Sequence, residues 1–244
     1  MIKKILKAVI ITVIWLAIWE IIHLIVGKDI LIPSPISVFM KIIELAGAGK
    51  FWAGIGASML RILIGYFAGL LAGLLLGIVT AISKVLDAFF SPIAKIIRAT
   101  PVASFIILLF VFIVNNHIPA VTAFLMVLPV TWANVYEGIK STDRKLLDMA
   151  KVFEVPRSRI IKGIYVPTIM PFFMSSAKMG MGLAWKAGIA AEVLTNTKFG
   201  IGSSLYNAKI YLETTDLFAW TAVIIIISVI LEKILVRLIG KIYN

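Results

Sequence analysis

Residues 140–167, KSTDRKLLDMAKVFEVPRSRIIKGIYVP, form a polar segment between two long apolar stretches, and this contrast decides how the chain folds. The segment contains seven basic and three acidic residues. Over the whole chain, 61% of the residues are hydrophobic, 15% are charged, and the mean hydropathy is +1.05. A water-soluble monomer of this composition would expose more apolar surface than soluble proteins tolerate. The sequence therefore predicts an integral membrane protein.

The apolar stretches predict helices, because Gly, Pro and Asn separate them and no β-barrel alternation recurs. A chain of 244 residues can hold six spans of about 20 residues each, with no separate soluble domain. In the third span, Thr100 followed by Pro101 is typical of a helix start. The predicted spans are residues 8–26, 57–82, 93–114, 119–136, 168–194 and 217–236.

The region between the first two spans is expected to lie on the membrane surface. It contains the turn LIPSPISV at 31–38 and a short amphipathic stretch over 36–45. Between the fifth and sixth spans we expect only a loop of some twenty residues.

Charge predicts the orientation of the spans. Sixteen basic residues fall on one face of the predicted bundle and five on the other. The positive-inside rule then places both termini and residues 140–167 in the cytoplasm. The net charge of +12 is thus a signal of topology, and a nucleic-acid partner is not expected. The sixteen are Lys3, Lys4, Lys7, Lys84, Lys95, Arg98, the seven of residues 140–167, Lys233, Arg237 and Lys241, against Lys28, Lys41, Lys50, Lys198 and Lys209.

Residues 140–167 predict two short helices at an angle on the cytoplasmic surface. Pro156 ends the first helix, and a repeat of isoleucines then leads into the membrane at Pro167. Such a basic, amphipathic segment could also be held by anionic lipid headgroups, an alternative that the pattern leaves open. The apolar face of the first helix contains Leu146, Leu147, Ala150 and Phe153.

The same segment resembles the E-A-A, x3, G, x9, I-x-L-P motif of permease subunits of binding-protein-dependent ABC importers. Four positions have the motif's spacing, namely Asp148, Ala150, Ile164 and Pro167. The departures are Asp148 for Glu, Met149 for the first Ala, Glu154 where Gly is usual, and Val166 for Leu.

Three other stretches resemble the nitrate, sulfonate and taurine type of these permeases, so the resemblance extends from about residue 31 to the C-terminus. They are LIPSPISV at 31–38, SMLRILIGY at 58–66 and GLAWKAGIAAEVL at 182–194. The resemblance implies the type I ABC importer permease fold. It divides the chain into an N-terminal helix with an extracytoplasmic interfacial segment over 1–54, and an ABC transmembrane type-1 domain over 55–240.

The resemblance also implies a function and partners. The chain would be the permease subunit of an importer that moves a small solute, such as a sulfonate, nitrate or taurine, across a prokaryotic cell membrane by alternating access. Its partners would be two ATP-binding subunits, an extracytoplasmic solute-binding protein, a second permease copy and membrane lipid. Residues 140–167 would contain the coupling helix, with Leu146, Leu147, Asp148, Met149, Ala150, Phe153, Glu154, Pro156 and Pro167 as its site residues.

Glu154 bears on the shape of this segment. A Gly there would let the chain leave the first helix through a left-handed residue. Because Glu adopts that conformation less readily, we expect Pro156 to stop the helix by another route.

The second predicted span contains a glycine every fourth residue. Such a stripe lets another backbone approach closely. It predicts packing against a helix of the same chain, with a sliding or dimer-facing surface as the alternative. The four glycines are Gly65, Gly69, Gly73 and Gly77.

Basic residues inside the spans are candidates for the translocation pathway, because charge in the membrane is costly. Arg61 lies near the outer end of the second span, where it could instead reach water. Lys178 and Lys186 lie deeper in the fifth span, about 80° apart around the helix axis. We expect Lys186, with Lys178, to line a pathway that tolerates anions, with pairing across helices as the alternative. Glu192 is not on the face of Lys186 and is not expected to pair with it.

No enzymatic constellation is visible in the sequence. It has no GxxxxGK[ST] phosphate loop, no G-x-S-x-G elbow and no cysteine, and its two histidines have no carboxylate at metal-ligand spacing. We expect no metal, no cofactor and no catalytic residue, with ATP hydrolysis in a separate chain. The alternatives are a self-contained ion-coupled transporter or channel, which expects a buried acid near the midplane, and a passive anchor.

Overall fold

The computed structural model of this chain describes residues 2–243, and the side chains of residues 6, 7, 9–238 and 240. The charges expected at Lys3, Lys4 and Lys241 lie outside these described side chains. Within residues 2–243 all regular secondary structure is helical, which confirms the predicted fold class. The helices are α1 (Ile2–Val26), α2 (Pro35–Ala46), α3 (Gly49–Ile82), α4 (Lys84–Ala99), α5 (Val102–Phe112), α6 (Ile118–Lys140), α7 (Arg144–Val152), α8 (Arg157–Ile160), α9 (Val166–Thr195), α10 (Ile201–Ile210) and α11 (Thr214–Tyr243), with a π-helical turn (Ile161–Tyr165) between α8 and α9.

Five helical segments are long and apolar enough to cross a membrane: α1, α3, α6, the α8–α9 rod and α11. The pair α4 and α5 makes a sixth crossing only if it counts as one broken span, since the two helices meet at 106°. The prediction of one continuous third span over 93–114 is therefore wrong. Pro101 has no N–H to continue the hydrogen bonds of α4, and the residue before a proline avoids the helical conformation. Thr100 ends α4 in an extended conformation, and Pro101 precedes α5.

The core is formed by α3, α6 and α9, which pack along most of their lengths. Tyr66 of α3 is fully buried, and its hydroxyl donates to the carbonyl oxygen of Ala177 in α9 at 2.9 Å. Val127 of α6 and Trp185 of α9 belong to the same buried cluster. These three helices provide the rigid frame from which the remaining segments project.

Two element boundaries differ from the prediction. The helix of the second span begins at Gly49 rather than near residue 57, because apolar residues 51 and 55 pack inward and extend its buried face. The boundary predicted between residues 54 and 55 thus falls inside a continuous helix. The expected loop between the last two spans contains α10, whose polar composition gave no membrane-span signal.

The predicted surface helix is present as α2, which is capped at its start and bound to α11 near its middle. Its N-cap is Ser34, whose side chain accepts a hydrogen bond from the backbone N–H of Ser37 at 3.1 Å, as expected of a serine before a proline at the first helical position. Lys41 of α2 lies 3.3 Å from Asp216 of α11. The interface between α2 and α11 is thus held by charge as well as by apolar contact.

Candidate functional site

The first helix inside the polar segment 140–167 is α7, which has nine residues. Asp143 is its N-cap, and its side chain accepts a hydrogen bond from the backbone N–H of Lys145 at 2.8 Å. This bond satisfies one of the amide groups that the first turn of a helix leaves unpaired.

The helix ends through Glu154, which adopts the left-handed conformation with φ of 47°. The N–H of Glu154 donates to the carbonyl oxygen of Lys151 at 3.1 Å, and the N–H of Val155 donates to that of Ala150 at 2.9 Å. This pair of bonds is the Schellman arrangement, in which glycine usually occupies the position of Glu154. The expectation that Glu would avoid this conformation is wrong, because two backbone hydrogen bonds and the following Pro156 hold the residue in place.

The apolar side chains of α7 divide into two groups. Ala150 is 4% exposed and Leu147 is partly buried, so this edge of the helix faces the chain itself. Met149 is 52% exposed and Phe153 is 74% exposed, and Leu146 and Val152 are exposed beside them. The polar segment therefore presents an apolar surface that no described residue covers, although Asp148 beside it is exposed to solvent.

The second half of the segment is a continuation of the membrane helix. Residues 157–195 form one helical rod through α8, the π-helical turn and α9, with Pro167 in the first turn of α9. The prediction of a second, separate short helix is thus wrong, since a π-helical turn widens the backbone ahead of a proline without ending the helix. Pro156 precedes the rod and separates it from α7.

At the other end of α9, Arg61 and Glu192 form a buried ion pair. The Nη2 of Arg61 lies 2.7 Å from Oε1 of Glu192, whose side chain is fully buried, while that of Arg61 is 13% exposed. The same nitrogen donates to the carbonyl oxygen of Phe199 at 2.6 Å, and Nη1 donates to the side chain of Asn116. Of the three nitrogens of this guanidinium, Nε has no hydrogen-bond partner among the described residues.

The second carboxylate oxygen of Glu192 is also fully engaged. It accepts hydrogen bonds from the hydroxyl of Ser58 at 2.7 Å and from the backbone N–H of Gly202 at 2.9 Å. The hydroxyl of Ser58 in turn accepts from the N–H of Ile201 at 2.9 Å. This ion-pair network joins α3, α9, the start of α10 and the turn before α6. A buried charge is stable only with such compensation.

The sequence singled out Arg61 as a candidate for the translocation pathway and did not predict its ion pair with Glu192. The two are separated by 131 positions, so no helical spacing could reveal the contact. Helical spacing relates Glu192 only to Lys186 of its own helix, and the structure shows no ion pair between them. The signal that could have found it is a single acid within the apolar stretch 182–194, because such an acid requires a partner.

Lys178 and Lys186 lie on an exposed strip of α9 that also contains Ser175, Met179 and Leu183. Within the described part of the chain, neither lysine has a salt bridge or a side-chain hydrogen bond. The two lie about 12 Å apart along the helix. The alternative, pairing across helices, is thus not seen among the side chains that the structure describes.

The glycine stripe of α3 packs against α6 of the same chain. A Cβ added at Gly73 would lie 2.7 Å from the carbonyl oxygen of Leu128, and one at Gly77 would lie 2.7 Å from Cβ of Val135. At Gly65 it would overlap the carbonyl oxygen of Ala120, and Gly69 meets α6 in the same way. Real side chains do not fit at these distances, so the two backbones touch.

Among the described residues, no group of three or more His, Cys, Asp or Glu side chains could hold a metal ion.

Comparison with known proteins identifies relatives of the chain. The profile of the family described as "binding-protein-dependent transport system inner membrane component" matches residues 69–244. The nitrate import permease NrtB of Synechococcus elongatus is 31% identical over 84% of this chain and 77% of its own length. The taurine transport permease TauC of Escherichia coli is 26% identical over 88% of this chain and 80% of its own length.

The fold also resembles solved structures. The chain superposes on a subunit of the MetNI methionine ABC transporter in an inward-facing conformation with a TM-score of 0.65, at 14% identity, over 79% of this chain and 95% of that one. A second match, to an amino acid ABC transporter, has a TM-score of 0.64 at 15% identity over 84% of this chain and 96% of the other. At such identities the similarity concerns the fold.

Proposed function

Because the chain belongs to the family of binding-protein-dependent transport system inner membrane components, we propose that it imports a small solute by alternating access, driven by separate ATP-binding subunits. Relatives are named for the transport of nitrate and bicarbonate, which are anions, and of taurine, which carries an anionic sulfonate, and this supports a small solute with an anionic group. The observation that carries the proposal is the uncovered apolar surface of α7, on an otherwise charged segment.

The exposed side chains of α7 suit a protein partner better than a lipid headgroup layer. Met149 and Phe153 stand on the helix beside Asp148, whose negative charge would be repelled by anionic lipid. A short amphipathic helix that presents such anchors typically docks into a groove of a partner. We place the ATP-binding subunit in that position.

The route from α7 into the membrane supports coupling. The N–H of Val155 donates to the carbonyl oxygen of Ala150 and closes the end of α7. The helical rod 157–195 begins directly after Pro156. A displacement of α7 would therefore act directly on the rod that contains Lys178 and Lys186. ATP would bias one arrangement of the membrane helices over the other through this contact.

The exposed strip of α9 supports a pathway at the surface of the protomer. Unpaired lysines within a span face either an aqueous cavity or a partner and rarely lipid. We place Lys178 and Lys186 on the pathway between two copies of the permease, where they make it tolerant of anions. The termini and α7 face the cytoplasm, in agreement with the distribution of basic residues, and the solute-binding protein docks at the opposite surface.

The docking helix can be tested with two variants of the complex purified from its own membrane. Met149→Asp and Phe153→Asp place a charge on the uncovered apolar surface without disturbing the buried Ala150. We expect either variant to lose the copurified ATP-binding subunit and ATP-dependent uptake. Lys151→Ala, on the polar side of the same helix, should retain both. Uptake that continues without any associated ATPase would overturn the proposal and favour a self-contained transporter.

The pathway can be tested by thiol labelling, since the native chain contains no cysteine. We expect Lys186→Cys and Lys178→Cys to react with a charged, membrane-impermeant maleimide, because they face water. Ile225→Cys, exposed on apolar α11, should remain unlabelled as the lipid-facing control. Protection of both lysine positions would exclude them from an aqueous pathway. Lys186→Met should then reduce uptake of an anionic solute more than uptake of a neutral one.

A further inference from the structure

We propose that α1 and α11 hold an acyl chain of a membrane phospholipid in the groove between them. The groove has a volume of about 460 Å³. Four side chains of α1 from Trp15 to Ile22 and four of α11 from Phe218 to Ile225 form its walls. Ile32, in the loop that follows α1, also lines the groove and closes it at that end. The site lies within one protomer and does not rest on the proposed transport function.

Water is not a suitable occupant of this groove. Thr221 has the one hydroxyl of its lining, and this hydroxyl donates to the carbonyl oxygen of Leu217 in the same helix at 2.7 Å. The indole N–H of Trp19 donates to the carbonyl oxygen of Pro33 at 3.1 Å. Trp15 contributes one further N–H, whereas a water held inside a protein typically makes about three hydrogen bonds. The groove therefore requires an apolar occupant.

Contacts at the loop end of α1 fix the width of the groove. Besides the indole bond of Trp19, Nδ1 of His23 lies 2.8 Å from the carbonyl oxygen of Ile32. The rings of Trp19 and Phe218 meet with their centroids 5.8 Å apart. Below this point α1 diverges from the bundle, and none of the residues Val9–Val26 is buried within the protein. An empty gap would forfeit the dispersion contacts of its walls, so a molecule of the membrane has to fill it.

The depth of the groove corresponds to one leaflet of the bilayer. Trp15 lies eleven residues before Val26, the last residue of α1, and Ile225 lies eleven residues after Thr214, the first of α11. Eleven residues of helix rise about 16 Å, which is about half of the 30 Å hydrocarbon core. Both walls thus run from the membrane surface on the α2 side to the bilayer centre. This is the reach of an acyl chain from that leaflet.

An acyl chain fits this groove better than a helix of a second copy does. A helix that crosses the membrane continues through both leaflets and is about 10 Å wide with its side chains. It would have to separate the rings of Trp19 and Phe218 and displace Ile32 at the closed end. A flexible chain can enter from the side, below that end, and stop at the bilayer centre.

The occupant can be identified by photolabelling of the full-length chain in phosphatidylcholine nanodiscs. A small fraction of the phosphatidylcholine carries a diazirine in the middle of one acyl chain, and mass spectrometry locates the adducts after irradiation. We expect adducts on Ile18 and Ile22, which line the groove. Val13 and Leu24 lie on the opposite side of α1, are exposed, and report labelling by the surrounding bilayer.

A matched pair of variants separates the groove from the general lipid surface. Ala222→Phe fills the groove from the α11 side. Because a side chain and an acyl chain cannot share one close-packed space, this variant should lower the labelling of Ile18 and Ile22 about tenfold. Ala222→Leu adds less volume and should lower it less. Ala17→Phe, on the side of α1 that faces away from the groove, should leave that labelling unchanged.

Labelling of Val13 and Leu24 should stay the same in all three variants. Thermal unfolding verifies that each variant folds, and Ala222→Leu decides the test if Ala222→Phe does not fold. The proposal is overturned if filling the groove leaves the labelling of Ile18 and Ile22 unchanged. It is also overturned if Ile18 and Ile22 of the native chain remain unlabelled while Val13 and Leu24 react, since the groove would then be closed or covered by a second copy.

Discussion

Around Arg61 and Glu192, charged side chains are buried and paired, whereas around α7 apolar side chains are uncovered. The first region joins four parts of the chain through hydrogen bonds that the protein supplies itself. The second region leaves Met149 and Phe153 without any contact that would bury them. The Glu192 end of α9 is thus complete within the described chain, whereas the surface of α7 is the one that the proposed partner would cover.

The largest effect is expected from breaking the ion pair. Glu192→Met leaves Arg61 buried without its counter-charge, which typically destabilises a protein by about 3–5 kcal/mol. The double variant Arg61→Met with Glu192→Met should recover part of that loss, because no single charge remains buried. Thermal unfolding of the purified protein measures both. Equal stability of Glu192→Met and the native chain would show that the ion-pair network does not hold the fold together.

The contact between α3 and α6 should be nearly as sensitive, since it connects the two regions. Gly73→Ala forces a Cβ against the backbone of α6 and should destabilise the protein by about 1–3 kcal/mol. Gly56→Ala is the matched control on the same helix, because nothing lies within 4 Å of its position. It should be neutral or stabilising. If the two variants behaved alike in thermal unfolding, close packing along the stripe would be refuted.

A smaller effect is expected at the end of α7. Glu154→Gly removes the strain of a left-handed non-glycine residue and should stabilise this helix end by about 1 kcal/mol. Hydrogen exchange of the amides of Glu154 and Val155 should slow accordingly. Leu212 has φ of 56° after α10, so Leu212→Gly provides the corresponding test away from α7. Faster exchange in Glu154→Gly would mean that contacts of the Glu side chain outweigh the strain.

The smallest effect concerns pH at the interface of α2 and α11. The hydrogen bond to Glu44, together with the charge of Asp216, raises the pKa of Lys41 above its usual 10.5. The resulting stabilisation is complete below pH 10.5 and is lost as the pH rises through the higher folded-state pKa. Its size is at most about 1 kcal/mol, because such a partly exposed pair is screened by solvent. Lys41→Met should abolish this alkaline step in the unfolding temperature, and a step that persists would have another cause.

Several parts of the fold could be predicted because their signals are local. Apolar stretches of sufficient length predicted the long helices, and the amphipathic stretch over 36–45 predicted α2. Thr100 and Pro101 predict a helix start inside one span, whereas in the structure α4 ends there and α5 leaves at 106°. The direction taken by α5 after that break depends on packing against α6 and α9, which no local pattern contains.

The candidate site divides in the same way. The spacing of Asp148, Ala150 and Pro167 located α7 by its resemblance to known permeases. Which of its apolar residues face outward could not be predicted, because Leu147 and Met149 are equally apolar and differ only in what lies beside them. The left-handed Glu154 contradicted its usual conformational preference, and two hydrogen bonds to the preceding helix explain the difference.

By itself the sequence determined that this protein lies in a membrane, which stretches are helical and where its one large polar segment lies. These properties follow from composition and from spacings of a few residues, within which side chains interact along one helix. Only the tertiary structure decided that Arg61 pairs with Glu192, that the glycine stripe faces α6 and that the ring of Trp19 meets that of Phe218. Those contacts arise between distant segments, and their energies exist only once the helices have packed.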